Sequence, residues 1–292
     1  TGNVALGDTA LDSVQSGGDN NVAIGHNAGT AITTGVQNTL IGGLAGDALT
    51  TGGENVAVGM LALSAEDGHG QNVAVGTQAL ASQNAGTNAN NTAVGYLAGR
   101  SVTTGTQNAL IGSHAGDALT DADFNVALGY AALSSDTLGS RSVAVGRNAL
   151  LSQNFTTASE SQNVAVGFAA GEQVTTGTFN TIVGGEAGKA ITTGFRNTLI
   201  GGASGDALTD ADYNVAVGSH SLTSDTLGSK STALGYTALF SQNFTTATDS
   251  FNVAVGYEAG LAVTTGTDNT LIGAQAGDAL TTGSLNVALG KK

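Results

Sequence analysis

The sequence predicts an all-β protein, a parallel β-roll or β-solenoid of about 17 rungs with a 17-residue repeat. A pentapeptide of the form Asn-x-(Ala/Leu/Ile)-(Val/Leu/Ile)-Gly, with Ser replacing Asn in two copies, occurs seventeen times in 292 residues. Most copies are 17 residues apart, and the repeat shows no helical period of about 3.6 residues. A repeat this short cannot enclose its own core, so neighbouring repeats must stack, and we expect a single repeat domain over residues 1–292.

The pentapeptide itself is predicted to be a short strand, as in Asn55-Val56-Ala57-Val58-Gly59. β-branched and small residues dominate it, which favours extended backbone. Because side chains alternate along a strand, Ala57 lies on one face, and Val56 and Val58 lie on the other. Neither face is charged, and a strand that is apolar on both sides is normally covered on both sides. We therefore expect one face to line the interior of the coil and the other to meet a second chain.

The second half of each repeat divides the rungs into two kinds. Three residues after the closing glycine comes Ala in 14 of 16 repeats, and the next residue is either Gly or Leu. Gly-type rungs carry an aliphatic residue three positions later and are always 17 residues long, whereas every change of length falls in a Leu-type rung. We expect Gly-type rungs to be structural and Leu-type rungs to tolerate loops. The Gly-type rungs are marked by Gly29, Gly46, Gly99, Gly116, Gly171, Gly188, Gly205, Gly260 and Gly277, and the Leu-type rungs by Leu11, Leu63, Leu80, Leu133, Leu150, Leu222 and Leu239.

The Asn that opens the pentapeptide predicts a ladder of side-chain amides along the stack. It lies four residues before the glycine in 15 of 17 rungs, and Ser142 and Ser231 replace it in the other two. A stacked Asn can bond to its copy in the next rung and to the backbone of the local turn. The predicted structural ladder consists of Asn21, Asn38, Asn55, Asn72, Asn91, Asn108, Asn125, Asn163, Asn180, Asn197, Asn214, Asn252, Asn269 and Asn286.

The charge and composition bear on partners and location. With 8 Lys+Arg against 22 Asp+Glu and a net charge of −14, the chain repels phosphate backbones, and we expect no nucleic-acid partner. No apolar run approaches the roughly 20 residues of a membrane span, so we expect no membrane insertion in this segment. The absence of cysteine fits an extracellular or virion protein. Because both ends fall within the periodic array, we expect the chain to be a piece of a longer fibrous protein.

The segment 21–28, Asn-Val-Ala-Ile-Gly-His-Asn-Ala, resembles the head repeat of YadA-like trimeric autotransporter adhesins, and similar repeats occur in bacteriophage tail-fibre proteins. The resemblance covers nearly the whole chain through its Asn, aliphatic, Gly and Ala positions. It implies a left-handed parallel β-roll assembled with two further copies into a homotrimer. It also implies an extracellular location, on a virion fibre or bacterial surface appendage, and attachment to a cell-surface glycan or protein receptor. The 17-residue step and the Ala-Gly-x-x-aliphatic-Thr-Thr-Gly second half differ from the adhesin heads and are more like phage fibres.

We expect no enzymatic activity and no cofactor. The paired acids Asp121/Asp123 and Asp210/Asp212 fall in equivalent turns five rungs apart, roughly 24 Å at the strand spacing. That separation is too large for the acid and base of a glycosidase. We interpret these residues as turn-forming aspartates. A calcium site at each pair is the alternative, because carboxylates and turn carbonyls suit a hard cation.

The four histidines are also predicted to be structural. His26, His69, His114 and His220 show no metal-ligand spacing, so we expect surface or turn histidines and no metal site.

The three longest excursions from the repeat, residues 84–91, 154–162 and 243–251, are the predicted receptor-contact loops, because loops on a rigid scaffold often carry binding. Phe155 and Phe244 have two interpretations: exposed rings that stack on a sugar or anchor a protein contact, or rings that fold back to cover the hydrophobic edge. The candidate contact residues are Asn84, Asn88, Asn154, Phe155, Thr156, Asn243, Phe244 and Thr245.

Two other functions compete with attachment. The chain is alternatively a purely structural spacer, or an ice-binding solenoid, because Thr-Thr pairs such as Thr33/Thr34 and Thr50/Thr51 stack on successive rungs. The Thr array breaks at Leu-type rungs, and Thr-Thr-Gly also simply makes a turn.

Overall fold

The computed structural model describes residues 2–291 and confirms the predicted fold class, an all-β parallel β-solenoid of about 17 rungs with a 17-residue repeat. Each pentapeptide contributes one three-residue strand, and four additional strands have two residues. No helix in this part of the chain has the length and apolar character needed to cross a membrane.

The chain divides into two compact units. The first runs up to Ser142 and includes Asn154–Ser159; the second comprises Val143–Gln153 and the chain from Glu160 onward. The prediction of a single repeat domain stays a prediction. In chain order the strands are β1 (Val4–Leu6), β2 (Val22–Ile24), β3 (Thr39–Ile41), β4 (Val56–Val58), β5 (Val73–Val75), β6 (Thr92–Val94), β7 (Ala109–Ile111), β8 (Val126–Leu128), β9 (Gly139–Ser140), β10 (Val143–Val145), β11 (Ser159–Glu160), β12 (Val164–Val166), β13 (Thr181–Val183), β14 (Thr198–Ile200), β15 (Val215–Val217), β16 (Gly228–Ser229), β17 (Thr232–Leu234), β18 (Thr248–Asp249), β19 (Val253–Val255), β20 (Thr270–Ile272) and β21 (Val287–Leu289).

Within each unit, three-residue strands of successive rungs pair in parallel, and equivalent residues align. Leu40 of β3 aligns with Ala57 of β4 in the first unit, and Ile182 of β13 aligns with Leu199 of β14 in the second. These middle residues are fully buried, whereas the residues on either side of them are at least partly exposed. In the three-residue strands from β2 to β20, the middle residue therefore faces the interior, and the ends face outward.

The glycine that closes each pentapeptide is required by the approach of the next rung. Gly59 has a φ of 136°, and a Cβ at this position would lie 2.5 Å from the carbonyl carbon of Gly76. A side chain is excluded both by this contact and by the backbone conformation. The pentapeptide glycine thus permits the close stacking of one rung on the next.

The Gly or Leu that distinguishes the two kinds of rung has the same backbone conformation in both. Gly46 has a φ of 56° and Leu63 a φ of 52°, which for Leu costs about 1–2 kcal/mol. A Cβ on Gly46 would lie 2.8 Å from a methyl carbon of Leu40 and 2.8 Å from one of Leu49. The interior therefore has room for a Leu at this position or for an aliphatic residue three positions later. Full burial of the Leu side chain, about 1.5–3 kcal/mol, offsets the backbone cost.

Candidate functional site

Hydrogen bonds link the Asn side chains of successive rungs within each unit, with one interruption at Ser231 in the second unit. Asn38 donates from its backbone N and from Nδ2 to Oδ1 of Asn21, each at 3.0 Å, and Nδ2 also donates to the carbonyl of Gly52 at 2.9 Å. In the second unit, Asn197 makes the equivalent bonds to Asn180 and Ala211. Each side chain thus satisfies buried backbone groups of its own and neighbouring rungs, and this placement is structural.

A second buried polar position was missed by the sequence reasoning. Three residues after the marker Leu, six of the seven Leu-type rungs have a fully buried acid or amide. Gly-type rungs have an aliphatic residue at the same position of the repeat. The signal in the sequence was therefore the change from an aliphatic to a polar residue at this one position. The six residues are Glu66, Gln83, Asp136, Gln153, Asp225 and Gln242.

Asp225 shows how a buried acid is accommodated in this position. Its Oδ1 accepts hydrogen bonds from the backbone N of Gly228 and of Phe244, both at 3.0 Å. Its Oδ2 accepts from Nε2 of Gln242 at 2.6 Å, and Oε1 of Gln242 accepts from Asn252 Nδ2 at 2.8 Å. Both carboxylate oxygens therefore have donors, two of which come from the following rung.

The rings of Phe155 and Phe244 are buried, each with only 6% of its surface exposed. Each backbone N is held by the buried Asp of the preceding rung, Asp136 for Phe155 at 3.0 Å and Asp225 for Phe244 at 3.0 Å. Of the two interpretations, the rings fold back, and the interpretation as exposed contact residues is wrong. The hydrogen bond to the buried Asp fixes the chain at the point where the side chain turns inward.

The other predicted contact residues lie on the surface. Thr156 and Thr245 directly follow the buried rings and are exposed. So are Asn84, Asn88, Asn154 and Asn243. The Oδ1 atoms of Asn154 and Asn243 each accept from a Thr hydroxyl of the preceding rung at 3.1 Å. These loops therefore present short polar side chains instead of aromatic rings, and hydrogen bonds from the preceding rung hold two of these side chains, Asn154 and Asn243.

Glu66, Asp67 and His69 are brought together in the rung that follows Gly59. One ligand atom from each lies within 4.8 Å of the others, and no other group of three such side chains lies this close in residues 2–291. Glu66 is fully buried, Asp67 is exposed, and the His69 side chain is 31% exposed. Burial raises the pKa of the Glu66 carboxyl above its ordinary value, an effect opposed by the backbone N–H and the charge of His69.

The two aspartate pairs considered for calcium are occupied by bonds to the preceding rung. Asp121 accepts from the Thr104 hydroxyl at 2.6 Å, and Asp123 accepts from the backbone N of Thr106 at 2.6 Å. The second pair behaves in the same way, with Asp212 accepting from Phe195 N at 2.9 Å. These contacts favour the interpretation as turn residues.

Many of the stacked Thr hydroxyls are also used within the solenoid. Each of three such hydroxyls donates to the backbone carbonyl of the equivalent Thr one rung later. The pairs are Thr33 to Thr50 at 3.2 Å, Thr175 to Thr192 at 3.1 Å and Thr192 to Thr209 at 3.3 Å. A hydroxyl turned along the stack offers its proton to the protein and not to an ice lattice, which weighs against the ice-binding alternative.

The outer face of the strands is apolar and open to solvent. In the first unit, Ile41, Ile111 and Leu128 are 36%, 40% and 42% exposed, and in the second unit Ile200 and Ile272 are 37% and 41% exposed. Because strands pair in register, these residues fall in columns with the half-buried Val and Ile residues of neighbouring rungs. Each unit thus presents an aliphatic face, which we call the strand face.

Aromatic side chains form a further exposed set. Tyr236 and Tyr257, which follow pentapeptide glycines, stack with their ring centres 5.6 Å apart. In the same unit, Arg196 lies 5.6 Å from the rings of both Phe179 and Tyr213. Phe179, Arg196 and Tyr213 each directly precede a ladder Asn and adopt the left-handed backbone conformation. They give the second unit a surface of rings and cations.

Comparison with protein-family models finds no matching family, and comparisons with curated proteins and with solved structures find no match to the chain.

Proposed function

We propose that the chain is a non-enzymatic segment of an extracellular homotrimeric fibre, the shaft or head of a phage tail fibre or surface adhesin. In this role it holds a binding surface away from a virion or cell and attaches to a glycan or protein receptor. Three copies, each a left-handed β-roll, pack side by side around a common axis.

The observation that carries the proposal is the strand face. A water-exposed column of Val, Ile and Leu is unfavourable for an isolated chain, and large exposed apolar surfaces commonly mark sites of association. The same face recurs at every rung of each unit, so a second chain with the same repeat offers a matching column. Burial of apolar surface yields about 25 cal/mol per Å², so the pairing of two such columns would stabilise an assembly.

The interior of each rung supports a structural role. Its fully buried positions are filled by Ala, Leu, Ile and Val, by the bonded Asn ladder and by other polar side chains such as Asp225, which leaves recognition to the outside. The exposed loop residues Asn84, Asn154, Thr156, Asn243 and Thr245, together with the rings around Arg196, are the surfaces available for a receptor. Stacked rings and nearby cations suit carbohydrate contacts.

Assembly is tested by sedimentation equilibrium of the full chain. Wild type is expected to sediment with three times the mass of one chain, and Ile41→Asp with Ile111→Asp should give monomers, because each Asp places a charge in the strand face. The matched control is Gln37→Asp with Gln107→Asp, exposed positions four residues earlier in the same rungs. A monomeric wild type at micromolar concentration would refute the trimer.

Attachment is tested separately with the trimer intact. Asn154→Ala and Thr156→Ala, combined with Asn243→Ala and Thr245→Ala, should lower binding to host cells without changing the sedimentation of the protein. Arg196→Ala tests the ring-and-cation surface in the same assay. If wild-type protein does not bind cells or glycan arrays, the spacer function replaces attachment, while the trimer result stands.

A further inference from the structure

Glu66 is a buried acid whose hydrogen bonds are incomplete. Its Oε1 accepts from the backbone N of His69 at 3.1 Å, but its Oε2 is buried without any hydrogen-bond partner. The Nδ1 atom of His69 is likewise buried and has no hydrogen bond; its one contact of opposite charge is Glu66 Oε1 at 3.4 Å. Oε2 of Glu66 is therefore buried without a hydrogen bond, and His69 Nδ1 is only weakly compensated, which is unfavourable for the free protein.

The equivalent acid in the second unit shows that the position itself does not impose this deficit. Asp225 receives a hydrogen bond from Gln242 in the following rung. Glu66 also has a Gln in the following rung, Gln83, but the amide of Gln83 donates to the carbonyl of Thr103 at 3.0 Å. The donor that would satisfy Glu66 is thus turned away from it.

We propose that Glu66, Asp67 and His69 form a binding site for a divalent transition-metal cation of the Zn²⁺ class. A carboxylate from Glu66, a carboxylate from Asp67 and Nδ1 of His69 are the protein ligands, and water completes the coordination. Two carboxylates neutralise the dipositive charge, and the imidazole nitrogen selects zinc-like ions over calcium, which prefers oxygen ligands alone.

The geometry allows all three ligands to reach one ion. Zinc lies about 2.0–2.2 Å from nitrogen and oxygen ligands, and the three ligand atoms already lie within 4.8 Å of one another. The remaining movement is needed from Asp67, whose side chain is exposed. Glu66 and His69 need little movement, because a backbone hydrogen bond already joins the two residues.

An open cleft lies against His69, one of the three ligands. It has a volume of about 230 Å³ and is lined by His69 together with Thr51, Glu54, Gln71 and Asn88. Since one water occupies about 30 Å³, the cleft has room for a hydrated cation and for the waters it keeps when bound. Apart from Val36, the lining side chains are polar, which suits those waters.

The site is tested on the untagged full chain after treatment with a chelator, by titration with ZnCl₂ in a calorimeter. We expect one Zn²⁺ per chain. The variants Glu66→Gln and His69→Gln should each weaken binding by at least about tenfold, as expected for the loss of one ligand. Titration with CoCl₂ should produce a visible absorption band that His69→Gln abolishes, which reports on the imidazole itself. CaCl₂ should give no heat of binding at the same concentration.

The control variant is His114→Gln. His114 forms a comparable pair with Asp117, 2.9 Å apart, but belongs to no group of three ligands. This variant should bind zinc as wild type does. His69 is partly exposed, so His69→Gln should fold even if Glu66→Gln does not, and circular dichroism verifies both. The proposal is overturned if wild type binds no zinc, or if His69→Gln and His114→Gln bind it equally well.

Discussion

The Gly-type rung around Gly46 and the Leu-type rung around Leu222 fill the same backbone in two different ways. In the first, Leu49 occupies the interior and Gly46 leaves room for it. In the second, Leu222 occupies the interior, and Asp225 stands where Leu49 would be. The aliphatic volume has moved three residues along the chain, and a polar side chain has taken its former position. Each rung therefore has interior space at this point for one large aliphatic side chain, which comes either from the marker position or from the position three residues later.

The two kinds of rung also differ in what holds the turn. Gly-type rungs have turns of constant length, Thr-Thr-Gly in seven of the nine and Thr-Asp-Ala in the other two, and Thr hydroxyls such as those of Thr33 and Thr175 bond along the stack. Leu-type rungs use the buried acid or amide to receive or donate hydrogen bonds to backbone groups, as Asp225 does for Gly228 and Phe244. Three of the four lengthened rungs have such a side chain, Gln83, Gln153 or Gln242, whereas the 18-residue rung that closes at Gly25 has Val14 at this position.

The largest effect is expected from placing Leu in a Gly-type rung. Gly46→Leu should destabilise the protein by about 4 kcal/mol, because overpacking against Leu40 and Leu49 adds to the cost of left-handed backbone. The second substitution Leu49→Gln should recover at least half of the loss, because it converts the rung to the Leu type. Chemical denaturation of both single variants and the double variant measures this coupling. If the effects of the two substitutions simply add, the side chains at positions 46 and 49 do not compete for the same interior space.

The next largest effect concerns the ladder, which both kinds of rung share. Asn197→Ala should cost about 3 kcal/mol, because it leaves the carbonyl of Ala211 and the backbone N of Asn214 buried without partners. Arg196→Ala, one residue earlier on the surface, is the control. Asn197→Ala should have a clearly lower denaturation midpoint than Arg196→Ala. Equal midpoints would show that water replaces the amide without cost.

A smaller effect separates the two buried acids. In the presence of a chelator, Asp225→Asn should destabilise the protein by about 2 kcal/mol, because the carboxylate loses charge-assisted hydrogen bonds. Glu66→Gln should be neutral or stabilising, because it removes a buried charge with an unpartnered oxygen. Thermal unfolding of both variants measures the contrast, and equal losses would show that Glu66 is as well satisfied as Asp225.

The smallest effect is expected from lengthening a loop. Insertion of Gly-Ser after Thr246, in the 21-residue rung that closes at Gly256, should cost about 0.5 kcal/mol, because loop closure depends weakly on length. The same insertion after Thr193 should cost clearly more, since it separates Thr193 from Gly194, which packs against the carbonyl of Ala211. Hydrogen exchange of the two turns compares their local stability, and similar losses of protection would remove the distinction between the rungs.

Much of the fold was predictable because each structural position recurs in many copies of the repeat, so the residue type that it requires is visible in the sequence. The spacing of the pentapeptide placed the strands, and alternation placed Ala57 and Val58 on opposite faces. The structure shows that Ala57 faces the interior and Val58 faces outward. The division into Gly-type and Leu-type rungs was likewise visible in the sequence. The candidate sites were less predictable. Phe155 offered no local signal for burial, since its anchor, Asp136, lies 19 residues earlier in the chain.

The sequence by itself determined the period, the strands, the division of each strand into two faces and the two kinds of rung, because these depend on residues within one repeat and on steric rules that every copy obeys. Only the tertiary structure decided which face points inward and whether each buried polar residue finds its partners. Whether Asp225 is satisfied and Glu66 is not depends on where the following rung directs one amide, Gln242 in one case and Gln83 in the other. That choice depends on packing between rungs, and the sequence of a single repeat does not contain it.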